Sequence, residues 1–200
     1  MAYMYQLRLA IVNKFPVASH ESKSEDEVYK PNLGPGQDVY YKGAHILHTL
    51  RNLIGDKAFF TAVKKLVYGT DAPTPDNFSP RLANSDEFVQ YVNEATGLNY
   101  QWFFDVYLYQ ATLPKLVVEK YEGYMQFNWL TENNVPFPMP LEVSINGDTR
   151  RLTMTDIRSL LVSDDDVVII DPHGKVLREM PHIGRYQRFL ASQIKAKPAQ

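Results

Sequence analysis

Five histidines, 23 carboxylates and no cysteine bound the chemistry that these 200 residues can carry. The missing cysteines exclude disulfides, thiolate metal sites and a cysteine nucleophile, but they choose no compartment. His20-Glu21 opens like the metal motif H-E-x-x-H, yet Ser24 stands where the second histidine belongs. That motif needs two histidines at i and i+4 on one helical face, and no such pair occurs here. His20 and Glu21 therefore read as a solvated loop. His45 and His48 sit at i and i+3, a spacing that can aim both rings at one ion. No carboxylate lies between them, and three protein ligands are the usual catalytic minimum, so they read as ordinary helix residues. His173 and His182 read as turn residues. Asp164, Asp165 and Asp166 lack the spaced oxygens and the glycine bend of a calcium loop, and read as a solvated turn. There is no G-x-S-x-G and no glycine-rich phosphate loop.

The most informative stretch is YYKGAHILHTLRNLIGDKAFF, residues 40 to 60. Tyr40 and Tyr41 stand with Lys42 and Gly43 just ahead of an apolar helical stripe. Judged by residue type alone, the two tyrosines are aromatic packing at a loop-to-helix junction. The lesser reading is one wall of an active site whose other wall lies outside the chain.

The elements around this stretch follow from periodicity. MAYMYQLRLAIVNKF looks like the middle of a helix, with Tyr5, Leu9 and Val12 on one face, Met4, Leu7 and Ile11 close by, and no N-cap before it, so the chain is expected to begin inside an element. Residues 20–39 are polar and carry Pro31, Gly34, Pro35 and Gly36, which predicts a long loop. Ile46, Leu47, Leu50, Leu53 and Ile54 have the 3.6-residue period of a helix. Gly55 suits its C′ position, and Asp56 an N-cap for a second helix lined by Phe59, Phe60, Val63, Leu66 and Val67. A proline-rich turn covers 73–80. Ser85 is expected to cap a third helix that ends at Gly97, with Asp86 and Glu87 in its first turn. Asn99 caps an aromatic helix, YQWFFDVYLYQ, which stops before Pro114.

The pattern then switches to seven short runs: KLVVEKY, YMQFNWLT, PLEVSIN, TRRLTM, RSLLV, DVVII and KVLRE. Asn146-Gly147 is a strong type I′ hairpin signal and His173-Gly174 a weaker one. The fold class expected is α+β in two domains, a helical bundle followed by an antiparallel β-sandwich. The boundaries expected are 1–112 for the helical part, 113–182 for the sandwich and 183–200 for a tail. That tail begins as a short helix from Gly184 and frays at KAKPAQ.

Composition agrees with a packed core, at 44% hydrophobic and 22% charged residues. A net charge of −2 with dispersed lysines and arginines leaves no basic footprint for nucleic acid. No apolar run is long enough for a membrane span, and the N-terminus is too polar for a signal sequence. A soluble chain is expected, whether in the cytoplasm, the periplasm or outside the cell.

VYYKGAHILHTLRNLIGDKAFF resembles the segment of M1-family zinc aminopeptidases, which are gluzincins, that follows their zinc-binding helices. The family carries Y-x-K-G-A, an apolar helix ending in L-R, then G-D and a phenylalanine. Here these are Tyr40, Lys42, Gly43, Ala44, Leu50, Arg51, Gly55, Asp56 and Phe59. FVQYVNEATGLNYQWFFDVYLYQATLPKLVVE is similar to the helices and the exit by which these enzymes enter a β-sandwich, with Ala111-Thr112 in place of the usual glycine. VPFPMPLEVSI resembles a sandwich strand. The resemblance covers roughly residues 1 to 180.

It implies the C-terminal part of an M1-like peptidase that removes N-terminal residues from peptides. The helical part would be the C-terminal lobe of a thermolysin-like domain. The family's H-E-x-x-H and downstream glutamate belong upstream and are absent from this sequence. Zinc is thus expected in the full-length parent and none in this chain, which should be inactive alone. The resemblance gives Tyr40 the role of hydrogen-bond donor to the oxyanion, with Tyr41 as the alternative register. It gives Lys42 a structural place in the first turn and Gly43 a close-packing one. The reading from a different class is a non-enzymatic helical-plus-sandwich module for binding or assembly.

Overall fold

The protein is described by a computed structural model covering residues 2–30, 32–77, 81–186, 188, 189 and 192. It is an α+β protein: among the described residues six α-helices precede two small antiparallel sheets. The helices are α1 (Ala2–Ala10), α2 (Glu25–Tyr29), α3 (Asp38–Ile54), α4 (Asp56–Tyr68), α5 (Ser85–Thr96) and α6 (Gln101–Tyr107). The strands are β1 (Lys115–Tyr121), β2 (Tyr124–Leu130), β3 (Leu141–Ile145), β4 (Asp148–Leu152), β5 (Arg158–Leu161) and β6 (Val168–Ile170).

α3 is the hub of the helical part. Its apolar stripe buries Ile46 and Leu50 against Phe59 of α4, Val89 and Val92 of α5, and Phe103 and Phe104 of α6. α4 ends on Gly69, which adopts the left-handed conformation and so closes the last turn without a Cβ penalty. α5 starts one residue earlier than expected. Asn84, not Ser85, accepts the Glu87 amide while the Glu87 carboxylate returns to the Asn84 amide, a complete capping box. Gly55 itself precedes α4, and Asp56 is already inside the helix, where it pairs with Arg51 at 2.8 Å. Asn99 is not the cap expected for α6: it accepts the Gln101 amide, but the N-cap position belongs to Tyr100, which makes no side-chain cap bond.

Three expectations differ further. The stretch 20–39 is not all loop. Ser24 and Glu27 form a capping box that starts α2, and α3 already begins at Asp38, so Tyr40 and Tyr41 lie in a first helical turn. The inward face of α1 carries Arg8 and, just beyond the helix, Ile11, whereas Tyr5 and Val12 are exposed, because Arg8 reaches across to Gly174. The run KVLRE is not a strand. Leu177 gives its amide to the Thr49 hydroxyl and Glu179 its amide to the Pro114 carbonyl, so the backbone partners of this segment lie outside any sheet. His173-Gly174 accordingly makes no hairpin.

The sheets have orders β1-β2-β5 and β4-β3-β6. Their inward residues alternate as strand geometry demands. Leu116, Val118, Phe127 and Leu160 from one sheet meet Leu141, Val143, Ile145, Val168 and Ile170 from the other. The two-residue β3–β4 turn is Asn146-Gly147, with φ of 52° and 94°, the positive pair that a type I′ turn requires.

The helical core does not end where the helices do. Phe137, Met139, Val176, Leu177 and Ile183 pack into it. A division at 112/113 therefore stands as a proposal that follows the chain's change of period. Residues 185, 186, 188, 189 and 192 are helical, as expected after Gly184; the expected fraying at 195–200 and the end of the proline-rich turn, 78–80, lie outside the described residues.

Candidate functional site

α3 carries a buried polar stripe that its apolar one conceals. Asp38, Lys42, His45 and Thr49 fall at i, i+4, i+7 and i+11, and all four are buried. Each is bonded to backbone of a distant segment. The Asp38 carboxylate accepts the Val12 and Asn13 amides at 2.8–3.1 Å, just past the end of α1. The Lys42 ammonium donates to the Gln110 and Ala111 carbonyls at 3.1 and 2.7 Å, where the chain leaves α6. His45 Nε2 donates to the Met4 carbonyl at 2.7 Å, which leaves Nδ1 to accept from Arg8 Nε at 3.4 Å. The Thr49 hydroxyl accepts the Leu177 amide at 3.0 Å.

A buried polar group without a partner is costly, so each of these bonds matters more for being made than for its net strength of about 1 kcal/mol. Burial also moves the titrations. Lys42 drops to about 8, chiefly through desolvation, although Asp38 and Glu132 oppose it. His45 drops to about 4 for the same first reason, helped by the Arg8 charge. Desolvation pushes the Asp38 carboxyl up against the two amides that bond it.

These anchors turn the other side of α3 outward. Tyr40, Tyr41, Gly43, Ala44 and Leu47 line a cleft of about 720 Å³ that also takes in Tyr3 and Leu7 of α1, Leu66 of α4, Phe88 of α5 and Phe104 of α6. Asn84 and Ser85 at the start of α5 lie in the same wall. Tyr40 is 57% exposed at the cleft, and its hydroxyl is 2.7 Å from that of Tyr29 on α2. Tyr41 is half-buried and packs on the helical core. The tetrad Tyr40, Tyr41, Lys42 and Gly43 therefore divides, with the phenols at the cleft and the lysine locked inside.

Lys42 is buried far more deeply than a first-turn position requires. Gly43 is not a close-packing site, since a Cβ there would find only the Asp38 carbonyl, at 3.9 Å. The close approach belongs to Gly34, where a Cβ would collide with the Val28 and Glu27 carbonyls. The signal that reading by apolar periodicity missed was the polar spacing 38, 42, 45 and 49.

The histidines do not converge. His20 stacks on Tyr109 with ring centroids 4.1 Å apart. His48 Nε2 faces the Asn52 amide at 3.3 Å, and His182 lies against Tyr5. Among the described residues no group of three or more histidine, cysteine, aspartate or glutamate side chains could hold a metal ion. Asp166 belongs to a turn, bonding the Ser163 amide and the Asn146 side chain. None of the described helices is long and apolar enough to cross a membrane.

The chain matches no protein-family model and no curated protein. Among solved structures it is similar to aminopeptidase A of Legionella pneumophila in complex with aspartic acid, at 15% identity and a TM-score of 0.45. The likeness covers 80% of this chain, which spans 18% of the length of that one.

Proposed function

We propose that this chain is part of a zinc-dependent aminopeptidase of the M1 kind and that Tyr40 is its oxyanion donor. One observation carries the reading. In the Tyr40-x-Lys42-Gly43-Ala44 motif, Lys42 is buried and held by two carbonyls while Tyr40 is exposed and lines an apolar cleft.

The described residues do not fit a zinc site, so the ligands would come from elsewhere in the parent protein. What this chain supplies is a wall and a donor. As a scissile carbonyl becomes tetrahedral, its oxygen gains charge, and a phenol positioned there donates to that charge. A phenol carries one O–H, which it can donate to that charge. A donor aimed at charge that exists only in the transition state is worth ~3 kcal/mol. Peptide is the substrate, and the chain by itself does not hydrolyse it.

A second reading, a non-enzymatic binding or assembly module, draws on the apolar lining of the same cleft. The coding sequence upstream of Met1 separates the two. An H-E-x-x-H followed by a further glutamate about one helix later is the expected result; an unrelated domain there favours the module.

A further inference from the structure

We infer that Tyr29 is a positioning residue for Tyr40: its hydroxyl donates to the Tyr40 oxygen and so leaves the single Tyr40 proton free to point into the cleft. The inference rests on the oxyanion-donor reading above.

The two hydroxyl oxygens are 2.7 Å apart, an ordinary O–H···O length, and each phenol has one proton. Only one of the pair can donate to the other. If Tyr40 donated to Tyr29, no proton would remain for a substrate oxygen. The competent arrangement is therefore Tyr29 O–H to Tyr40 O, then Tyr40 O–H to the substrate. Hydrogen bonds in such a chain polarise one another, so the second is strengthened by the first. The bond to Tyr40 is also the leading cause of an upward shift in the Tyr29 pKa, which keeps the Tyr29 proton in place.

Tyr29 is brought there by a folded strap rather than a slack loop. Ser24 and Glu27 cap α2 reciprocally. Beyond it the chain turns back, with the Gly34 amide bonded to the Lys30 carbonyl at 3.1 Å and the Gly36 amide to the Val28 carbonyl at 2.9 Å. Gly34 lies so close to Val28 that no side chain fits. The strap then runs directly into α3, whose first turn holds Tyr40. Both phenols remain partly exposed, at 39% and 57%, so the pair is not explained by core packing.

The test is a double-mutant cycle in the full-length enzyme, read by steady-state hydrolysis of aminoacyl-arylamides, with folding of every variant checked by circular dichroism. Tyr29→Phe should lower kcat roughly tenfold with KM within about twofold, because the lost bond acts through Tyr40 on the transition state. Tyr40→Phe should lower kcat about 100-fold, and Tyr29→Phe/Tyr40→Phe should match Tyr40→Phe within about twofold. A further tenfold loss in the double variant would overturn the inference, since Tyr29 would then act independently of Tyr40. Unchanged kcat in Tyr29→Phe beside a large loss in Tyr40→Phe would overturn the coupling alone. Full activity in Tyr40→Phe would overturn the oxyanion reading itself.

Discussion

Burial of His45 ties one side chain to the acid stability of the whole fold. Its ring is neutral inside, with the pKa pushed down to about 4, whereas an exposed histidine titrates near 6.5. Below about pH 6.5 the unfolded chain binds a proton that the folded chain refuses, so stability falls as pH drops from there towards 4. Asp38, whose folded pKa is raised, acts in the opposite direction. The diagnostic quantity is thus the difference between proteins. Denaturant unfolding at several pH values between 7 and 4.5 should show a shallower acid loss in His45→Gln than in the unaltered protein; parallel curves would show that His45 is not buried neutral. Little of this was legible in the sequence. Ile46 and Leu50 announced the helix, but Asp38, Lys42, His45 and Thr49 are satisfied by residues 4, 12, 13, 110, 111 and 177, and such partners cannot be read from local pattern. Tyr40, the proposed oxyanion donor, was singled out only through motif resemblance, because an exposed tyrosine has no periodic signature.

Elements were recovered best where backbone chemistry is local. Asn146-Gly147 required a type I′ turn, and it forms one. Gly97 ends α5 in the left-handed region, as expected. α2 was missed because its five residues, EDEVY, are mostly polar, although Ser24-x-x-Glu27 is itself a capping-box signature. KVLRE was misread because Val176 and Leu177 are apolar for the sake of the helical core rather than of a sheet. The strap between α1 and α3 makes its own prediction. Gly34→Ala places a methyl against the Val28 and Glu27 carbonyls, so the turn after α2 must open. Limited proteolysis should then cut within residues 20–36 several times faster than in the unaltered protein, while the rest of the chain resists as before. An unchanged cleavage rate would show that the strap is not held by this contact.

The molecule as a whole is joined by α3 and by the segment 174–183. Arg8 reaches the Gly174 carbonyl at 2.7 Å, Thr49 holds Leu177, and Tyr107, wholly buried, donates to the Leu177 carbonyl. Leu177 is itself fully buried among helical side chains. Leu177→Ala, a substitution beyond the helices, should therefore cost about 2–5 kcal/mol and lower the midpoint of the helical circular-dichroism transition. A helical transition left in place would mean that residues 1–112 are self-sufficient. Such cross-packing explains why the proposed boundary at 112/113 follows the chain but not the core. It also fixes the cleft wall, since the buried face of α3 is tied at four points while its other face presents Tyr40. On the proposed aminopeptidase reading, the most direct measurement is the kinetics of Tyr40→Phe and Tyr41→Phe in the full-length protein. Tyr40→Phe keeps the ring and should lower kcat about 100-fold or more with KM and zinc content nearly unchanged, and Tyr41→Phe should be close to neutral. Equal activity of Tyr40→Phe and the unaltered enzyme would contradict the oxyanion role, and a large loss confined to Tyr41→Phe would move that role one residue along.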